Sequence, residues 1–260
     1  MGTERYSFFA PIPSSLVEYI LNLILLAKPV QRVKWDKSSK LFHHLQKTLR
    51  VRQGSKIDCA VENGPRGKGI IDAIDKDEIN LSFQWDPPHP PDFLPVRLVV
   101  GLSRPQTCRK ILEQAASMGV AEIHFFGAEK GEPSYASSTL WTTDEWENKI
   151  RAGVAQAFSS HIPFCKLHQN LESLIAEIPD KRSIRLGLDN YEAGDQLESF
   201  SVQSSESIWL AVGAERGWSA HERDLLRENE FTLKHLGKRI LRVETAVVAA
   251  LGILGSGIEA

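Results

Sequence analysis

Ser207-Ile-Trp-Leu-Ala-Val-Gly-Ala-Glu-Arg-Gly-Trp-Ser219 sets an unbroken apolar run directly before a loop that carries two glycines. A run this short, bounded by turn residues, is the pattern of a strand buried on both faces. Ser219 with Glu222 three residues later has the spacing of a capping box, so the sequence predicts a helix from Ser219 to about Asn229. The same rhythm extends both ways. Val96 to Leu102, Val120 to Phe126, Ser183 to Asp189 and Phe231 to Leu236 read as strands. Thr107 to Met118, Thr143 to Phe158 and a final segment from Glu244 onwards read as helices. Strands alternating with helices predict an α/β fold with a parallel sheet covered on both faces.

Upstream the rhythm changes at Asp86-Pro-Pro-His-Pro-Pro-Asp-Phe-Leu-Pro95, where five of the 13 prolines cluster and oppose both helix and central strand. Residues 87–95 therefore read as a linker between a first domain, 1–86, and a second, 96–260. Within the first, Lys56 to Val61, Gly69 to Ile74 and Glu78 to Phe83 are β-like, with turn residues at Asn63 to Gly69. Asp36 to Arg50, with Leu41, Phe42, Leu45 and Leu49 at helical spacing, predicts a helix against a small β-barrel or sheet.

The chain has 260 residues, 42% hydrophobic and 25% charged, which is ordinary globular composition. Cys59, Cys108 and Cys165 are widely separated, so neither a disulfide framework nor a thiolate zinc site is suggested and a reducing cytoplasm fits best. The apolar stretch Leu16 to Ala27 contains Glu18 and Asn22 and is too short for a membrane span, and it lacks the marks of a signal peptide. Net charge is −2, yet residues 28–56 hold nine Lys or Arg against Asp36 alone, while residues after 86 carry 18 basic and 23 acidic groups. Lys47, Arg50, Arg52 and Lys56 belong to the basic segment, which reads either as a solvated face or as a phosphate-binding one. No metal site is expected: His43-His44 diverge on a helix and Cys165 with His168 lacks further ligands. Trp35, Trp85 and Trp218 are more in keeping with core packing than with base stacking.

In parallel sheets ligands bind beyond the carboxyl ends of strands, which singles out the loops after Leu188, Val212 and Leu236. Gly213 and Gly217 let backbone amides approach a ligand, although from the residues alone a plain strand-to-helix turn is the favoured reading, since short glycine motifs match by chance; the Gly-Lys-Ser/Thr ending of a P-loop is missing. Leu236-Gly-Lys-Arg-Ile-Leu-Arg-Val-Glu-Thr-Ala246 sets three cations and a carboxylate before a helix that is apolar around almost its whole circumference. Such a helix is expected to be buried, at a subunit contact, with Arg242 and Glu244 where solvent is scarce and an anion is needed, or else engaged in capping and core pairing.

Gly213 to Ser219 followed by Leu236 to Ala246 resembles the signature of the RsmE family, the 16S rRNA (uridine-N3) methyltransferases of the SPOUT superfamily. Tyr6-Ser-Phe-Phe9, His43 to Arg50, Gly54, Lys110 to Val120, Gln156 and Pro163 agree with it, so the resemblance spans nearly the whole chain. It implies a PUA-like RNA-binding β-barrel, then a knotted SPOUT-type parallel sheet domain that binds S-adenosylmethionine and works as a homodimer on 16S rRNA or the small ribosomal subunit. Carried over by position, the cofactor pocket would use Leu188, Gly213, Glu215, Gly217, Leu236, Gly237, Ile240, Leu241 and Arg242, with Arg242 and Glu215 also catalytic. The sequence departs from the family pattern at Ala214 and Lys238, each in place of Pro, Arg216 in place of Gly and Val243 in place of Thr. An expected Arg on the middle helix is Ser159; either His161 or Arg216 compensates, or the substrate is shifted or the activity weakened. The alternatives are then a methylase of a different RNA or a non-catalytic RNA-binding or ribosome-assembly paralogue of the same fold.

Overall fold

Alternation of buried and exposed side chains builds the first sheet. In the computed structural model, which describes residues 17–20, 23–178, 183–198 and 207–257, contacts divide the chain into one unit of residues 1–91 with 154–161 and another of 92–153 with 162–260. The first unit holds β1 (Val17–Ile20), β2 (Leu23–Leu26), β3 (Arg32–Asp36), β4 (Lys56–Val61), β5 (Arg66–Ile74) and β6 (Glu78–Trp85), in the order β1-β2-β4-β5-β6-β3. Along β3 only Val33 and Trp35 are buried, and they face a core that includes Phe42, Leu45, Ile71 and Leu81. The motif Tyr6 to Phe9 lies outside the described residues.

The helix expected over 36–50 is shorter. Asp36 ends β3, where its Oδ1 accepts the Ser38 N–H at 2.8 Å in a local turn. Helix α1 (Lys40–His43) then starts at Ser39, whose Oγ accepts the Leu41 N–H, and continues as a wide turn over His44–Thr48. Arg50, with φ of 49°, closes it. The turn expected over 63–69 is also shorter, because β5 starts at Arg66. A Cβ on Gly67 would lie 2.1 Å from Gln84 O, so glycine is needed there for close approach of β6, not for a turn. Residues 154–161 join this unit through Asn63, whose N–H donates to Ser160 O at 2.7 Å, and through Arg66, which donates to Phe158 O.

The second unit runs β7 (Leu94–Gly101), α2 (Pro105–Ser117), β8 (Val120–Phe126), α3 (Thr139–Thr142) and α4 (Glu145–Gln156), whose last residues count with the first unit. It goes on with β9 (Phe164–His168), α5 (Leu171–Ile175), β10 (Ile184–Leu188), β11 (Asp195–Gln196), β12 (Ile208–Val212), α6 (Ala220–Glu228), β13 (Thr232–His235) and α7 (Val243–Gly255). Its seven strands lie in the order β11-β13-β10-β12-β7-β8-β9 and every neighbouring pair is parallel. Two residues read as linker, Leu94 and Pro95, begin β7; pairing with β12 starts only at Val96, so the missing proline N–H costs that ladder nothing. Every residue of β12 is buried, as the uninterrupted apolar run implied. The capping box forms: Ser219 Oγ accepts the Glu222 N–H and Glu222 Oε2 accepts the Ser219 N–H.

Helix α7 is not buried all round. Val243, Val247, Ala250, Leu251 and Leu254 are, and the helix packs on α2, but Thr245 and Gly252 are exposed and Val248, Ala249 and Ile253 half-buried. No helix among the described residues is long and apolar enough to cross a membrane.

On the opposite half of this sheet His124 Nδ1 lies 3.0 Å from His168 Nε2, while His124 Nε2 faces Glu122 Oε2 at 2.9 Å. Both rings are buried, and burial holds both imidazoles below their usual value of 6.5 against the opposing pull of Glu122 and Glu177. A histidine with a depressed folded-state pKa takes up protons more readily when unfolded, so its contribution is intact above pH 6.5 and is lost as pH falls below that value. Urea midpoints are accordingly expected to drop on acidification from pH 7 toward 5, and the drop to shrink in His168→Gln.

Candidate active site

Strands β13, β10 and β12 are neighbours and parallel, so the loops that follow Leu188, Val212 and His235 leave the same edge of the sheet. Trp218 joins two of them. Its buried indole Nε1–H donates to Leu188 O at 2.8 Å and its ring stacks on Phe126, with centroids 5.8 Å apart. The end of β7 closes against the same loop: a Cβ on Gly101 would lie 2.5 Å from Ala214 N. Gly217 and Gly237 have φ of +65° and +105°, which other residues adopt only with strain.

These loops enclose a cavity of about 660 Å³, within the range of small-molecule sites. Leu188, Gly213, Glu215, Gly217, Leu236, Ile240, Leu241 and Arg242 line it. Gly237 is not among the lining residues; its N–H is turned to His235 Nδ1 at 3.0 Å. The sequence reading missed a fourth segment, the loop after β7 with the start of α2, which brings Arg104, Gln106, Thr107 and Lys110 to the cavity. That loop was accessible by the same strand-end argument, since Val96 to Leu102 already read as a strand. Asp189, Asn190 and Tyr191 also line the space.

Each carboxylate of the lining is already engaged. Asp189 is buried and paired with Arg223, whose guanidinium also lies over the Tyr191 ring at 5.7 Å. The Asp189 hydrogen bond holds Arg223 above its usual pKa. Glu215 is exposed, and its Oε1 accepts the Arg104 N–H at 2.9 Å, tying the start of α2 to the loop before α6. Glu244 pairs with Lys110 at 3.1 Å; burial works to raise its carboxyl, but a backbone hydrogen bond, Lys110 and the field of Arg242 leave it below the usual value.

Arg242 is exposed, contrary to the expectation that solvent is scarce there, because the residue is the N-cap of α7 and precedes the buried face that starts at Val243. Lys47, Arg50, Arg52 and Lys56 are all exposed in the first unit and enter no ion pair with a described residue, whereas Lys34 and Lys37 of the same basic segment pair with Glu78 and Asp77. Burial pushes Cys59, Cys108 and Cys165 up to about 12, so none is a thiolate near neutrality. Trp35 is in the core, and Trp85 Nε1–H donates to Val30 O at 2.9 Å. One metal-type cluster escaped the sequence reading: Glu129, Glu172 and His221, exposed, have ligand atoms within 4.8 Å of one another. The three come from separate segments, so no spacing announces them.

A parallel α/β sheet with a loop-lined cavity at the carboxyl ends of its strands defines a small-molecule-binding protein of the cofactor-dependent kind. The chain belongs to the RNA methyltransferase domain family, of the RsmE type: that family's sequence model matches residues 90–255. A ribosomal RNA small subunit methyltransferase E of Treponema pallidum is 28% identical over 217 residues, covering 82% of this chain and 81% of the relative. The methyltransferase E 1 of Borreliella burgdorferi is 26% identical, covering 91% of this chain and 98% of its own. Among solved structures, a ribosomal RNA small subunit methyltransferase E of Neisseria gonorrhoeae bound to S-adenosyl methionine has a TM-score of 0.71 at 20% identity, over 90% of this chain and 96% of that one.

Removing one partner of a buried ion pair leaves the other uncompensated. Asp189→Ala is expected to lower the unfolding free energy by about 3 to 5 kcal/mol, measured by urea denaturation, and to free the Tyr191 loop for proteolytic cleavage.

Proposed function

We propose that the chain methylates N3 of a uridine in 16S ribosomal RNA, with S-adenosylmethionine as the donor. The observation that carries this reading is the convergence of the loops after Leu188, Val212 and His235, with the residues of the RsmE-like motifs, on one cavity. The residues fit the cofactor. Three loops supply room, and the backbone N–H groups of residues 238–241 make no hydrogen bond to a described residue, which leaves donors for an adenine edge and a methionine tail. Leu188, Gly213, Gly217, Leu236, Ile240 and Leu241 would hold it, with Gly237 setting the turn.

S-adenosylmethionine supplies an electrophilic methyl group on a sulfonium. The protein's part is to hold the base in line, which by itself is worth about 7 to 11 kcal/mol of barrier in well-oriented systems. Uridine N3 loses its proton as it attacks, and the guanidinium of Arg242 stabilises the imidate charge that develops on the ring. Glu215 fixes the two loops through its Oε1, and its second carboxylate oxygen is left to accept the N3 proton. No cysteine takes part, since every thiol is held protonated.

The first unit is the PUA-like RNA-binding barrel in this reading, with Lys47, Arg50, Arg52 and Lys56 as phosphate contacts. The second is the SPOUT domain. Its chain passes from β13, on the far side of β10, back to α7 against α2, a return path in keeping with a trefoil knot. The half-covered apolar face of α7, with open space at Gly252, suits a second copy of the chain in a homodimer, and a ribosomal RNA substrate suits the cytoplasm.

Mapping 3-methyluridine in 16S rRNA from a deletion strain tests the activity: loss of one such mark is expected, and an unchanged rRNA overturns it. Arg242→Ala is expected to abolish turnover while leaving thermal stability unchanged; wild-type rates in that variant would remove Arg242 from the chemistry. Changing Lys47, Arg50, Arg52 and Lys56 together to Gln is expected to flatten the logarithmic salt dependence of rRNA affinity by ~0.7 to 0.9 per lost phosphate contact.

A further inference from the structure

We propose that Arg104 and Arg216 form a phosphate grip at the mouth of the cavity, holding the RNA backbone beside the target nucleotide. The inference rests on the reading of the chain as an RNA methyltransferase and adds a second RNA contact, on the catalytic unit itself.

It starts from the charges that face the cavity. The carboxylates are Asp189, Glu215 and Glu244, and each has a partner: Arg223, the Arg104 backbone N–H and Lys110. The cations are Arg104, Lys110, Arg216 and Arg242, and only Lys110 is paired with a carboxylate of a described residue. Three arginines thus line one cavity without an ion pair to a described carboxylate, in a chain of net charge −2. Arg104, Arg216 and Arg242 are exposed. Against them stand Glu215, whose partner is a neutral N–H, and Glu244, which feels the field of Arg242, so the lining keeps an excess of positive charge that an arriving anion compensates.

Arg242 is assigned to the reacting base, which leaves Arg104 and Arg216. They come from different loops, one before α2 and the other before α6, and Glu215 fastens those loops together from the residue next to Arg216. Their backbones are therefore held at a set separation. A planar guanidinium matches two phosphate oxygens at once and stays charged at any working pH, as a grip on an RNA backbone requires. Arg216 stands where the RsmE-like pattern has glycine, so this contact belongs to the present chain and not to the signature.

The test is the salt dependence of binding of a fluorescent oligouridylate in the presence of S-adenosylhomocysteine, with the affinity for S-adenosylmethionine measured by calorimetry alongside. Arg104→Gln and Arg216→Gly are each expected to flatten the slope by ~0.7, the value for one phosphate contact on a single strand. The double variant is expected to flatten it by about twice that, with cofactor affinity unchanged, and Arg216→Lys to keep the wild-type slope. Slopes equal to wild type in both single variants would overturn the grip. Weakened cofactor binding with an unchanged slope would also overturn it, by assigning the guanidiniums to the cofactor's carboxylate. Because this readout needs no turnover, a wild-type protein that transfers no methyl group to rRNA would sink the activity while the slopes still decide the grip.

Discussion

The indole of Trp218 is the point on which the site depends. Parallel pairing of β10 and β12 only guarantees that their loops leave the sheet side by side; it does not fix the distance across the gap. The hydrogen bond from Trp218 to Leu188 O does, and the stack on Phe126 anchors it to the sheet beneath. A buried carbonyl is costly to leave unpaired, so the first loop cannot drift from the second without losing this contact. The cavity wall is in this sense continuous, although four distant segments of sequence build it.

Electrostatics then sort the lining into two classes. The carboxylates serve the scaffold: Asp189 fixes the Tyr191 loop and Arg223, Glu215 joins two loop backbones, and Glu244 anchors α7 to α2 through Lys110. The guanidiniums are left for solvent and ligands. In the proposed reaction this division suits a site that receives a polyanion and stabilises a developing negative charge, with Glu215 alone keeping one oxygen for the N3 proton.

Much of the fold was legible because its signals are local. β4 and β8 were read with their observed bounds, and the ends of α2 and α6 to within a residue or two, since capping chemistry, glycine and apolar runs mark them directly. β2, β3, β9 and α5 were not read as elements. Residues 23–26 sit in an apolar stretch that was weighed only against membrane and secretion signals, and the Phe164–His168 edge strand has no fully buried residue but His168, so its pattern is weak. The site was half legible. The glycine loops could be located from strand ends, but Glu215 was read for chemistry when its geometry also fastens two loops, and the exposure of Arg242 depends on where the buried face of α7 begins, which a nearly all-apolar sequence does not mark.

Helix α2 gains a role from its two ends. At its start the Arg104 N–H is held by Glu215, and just past its close the Gly119 carbonyl accepts the Leu94 N–H at the base of β7. Thirteen helical residues between them make a bar about 20 Å long, with α7 laid along it. The wall of the cavity and the far margin of the sheet are thus geared to one strut.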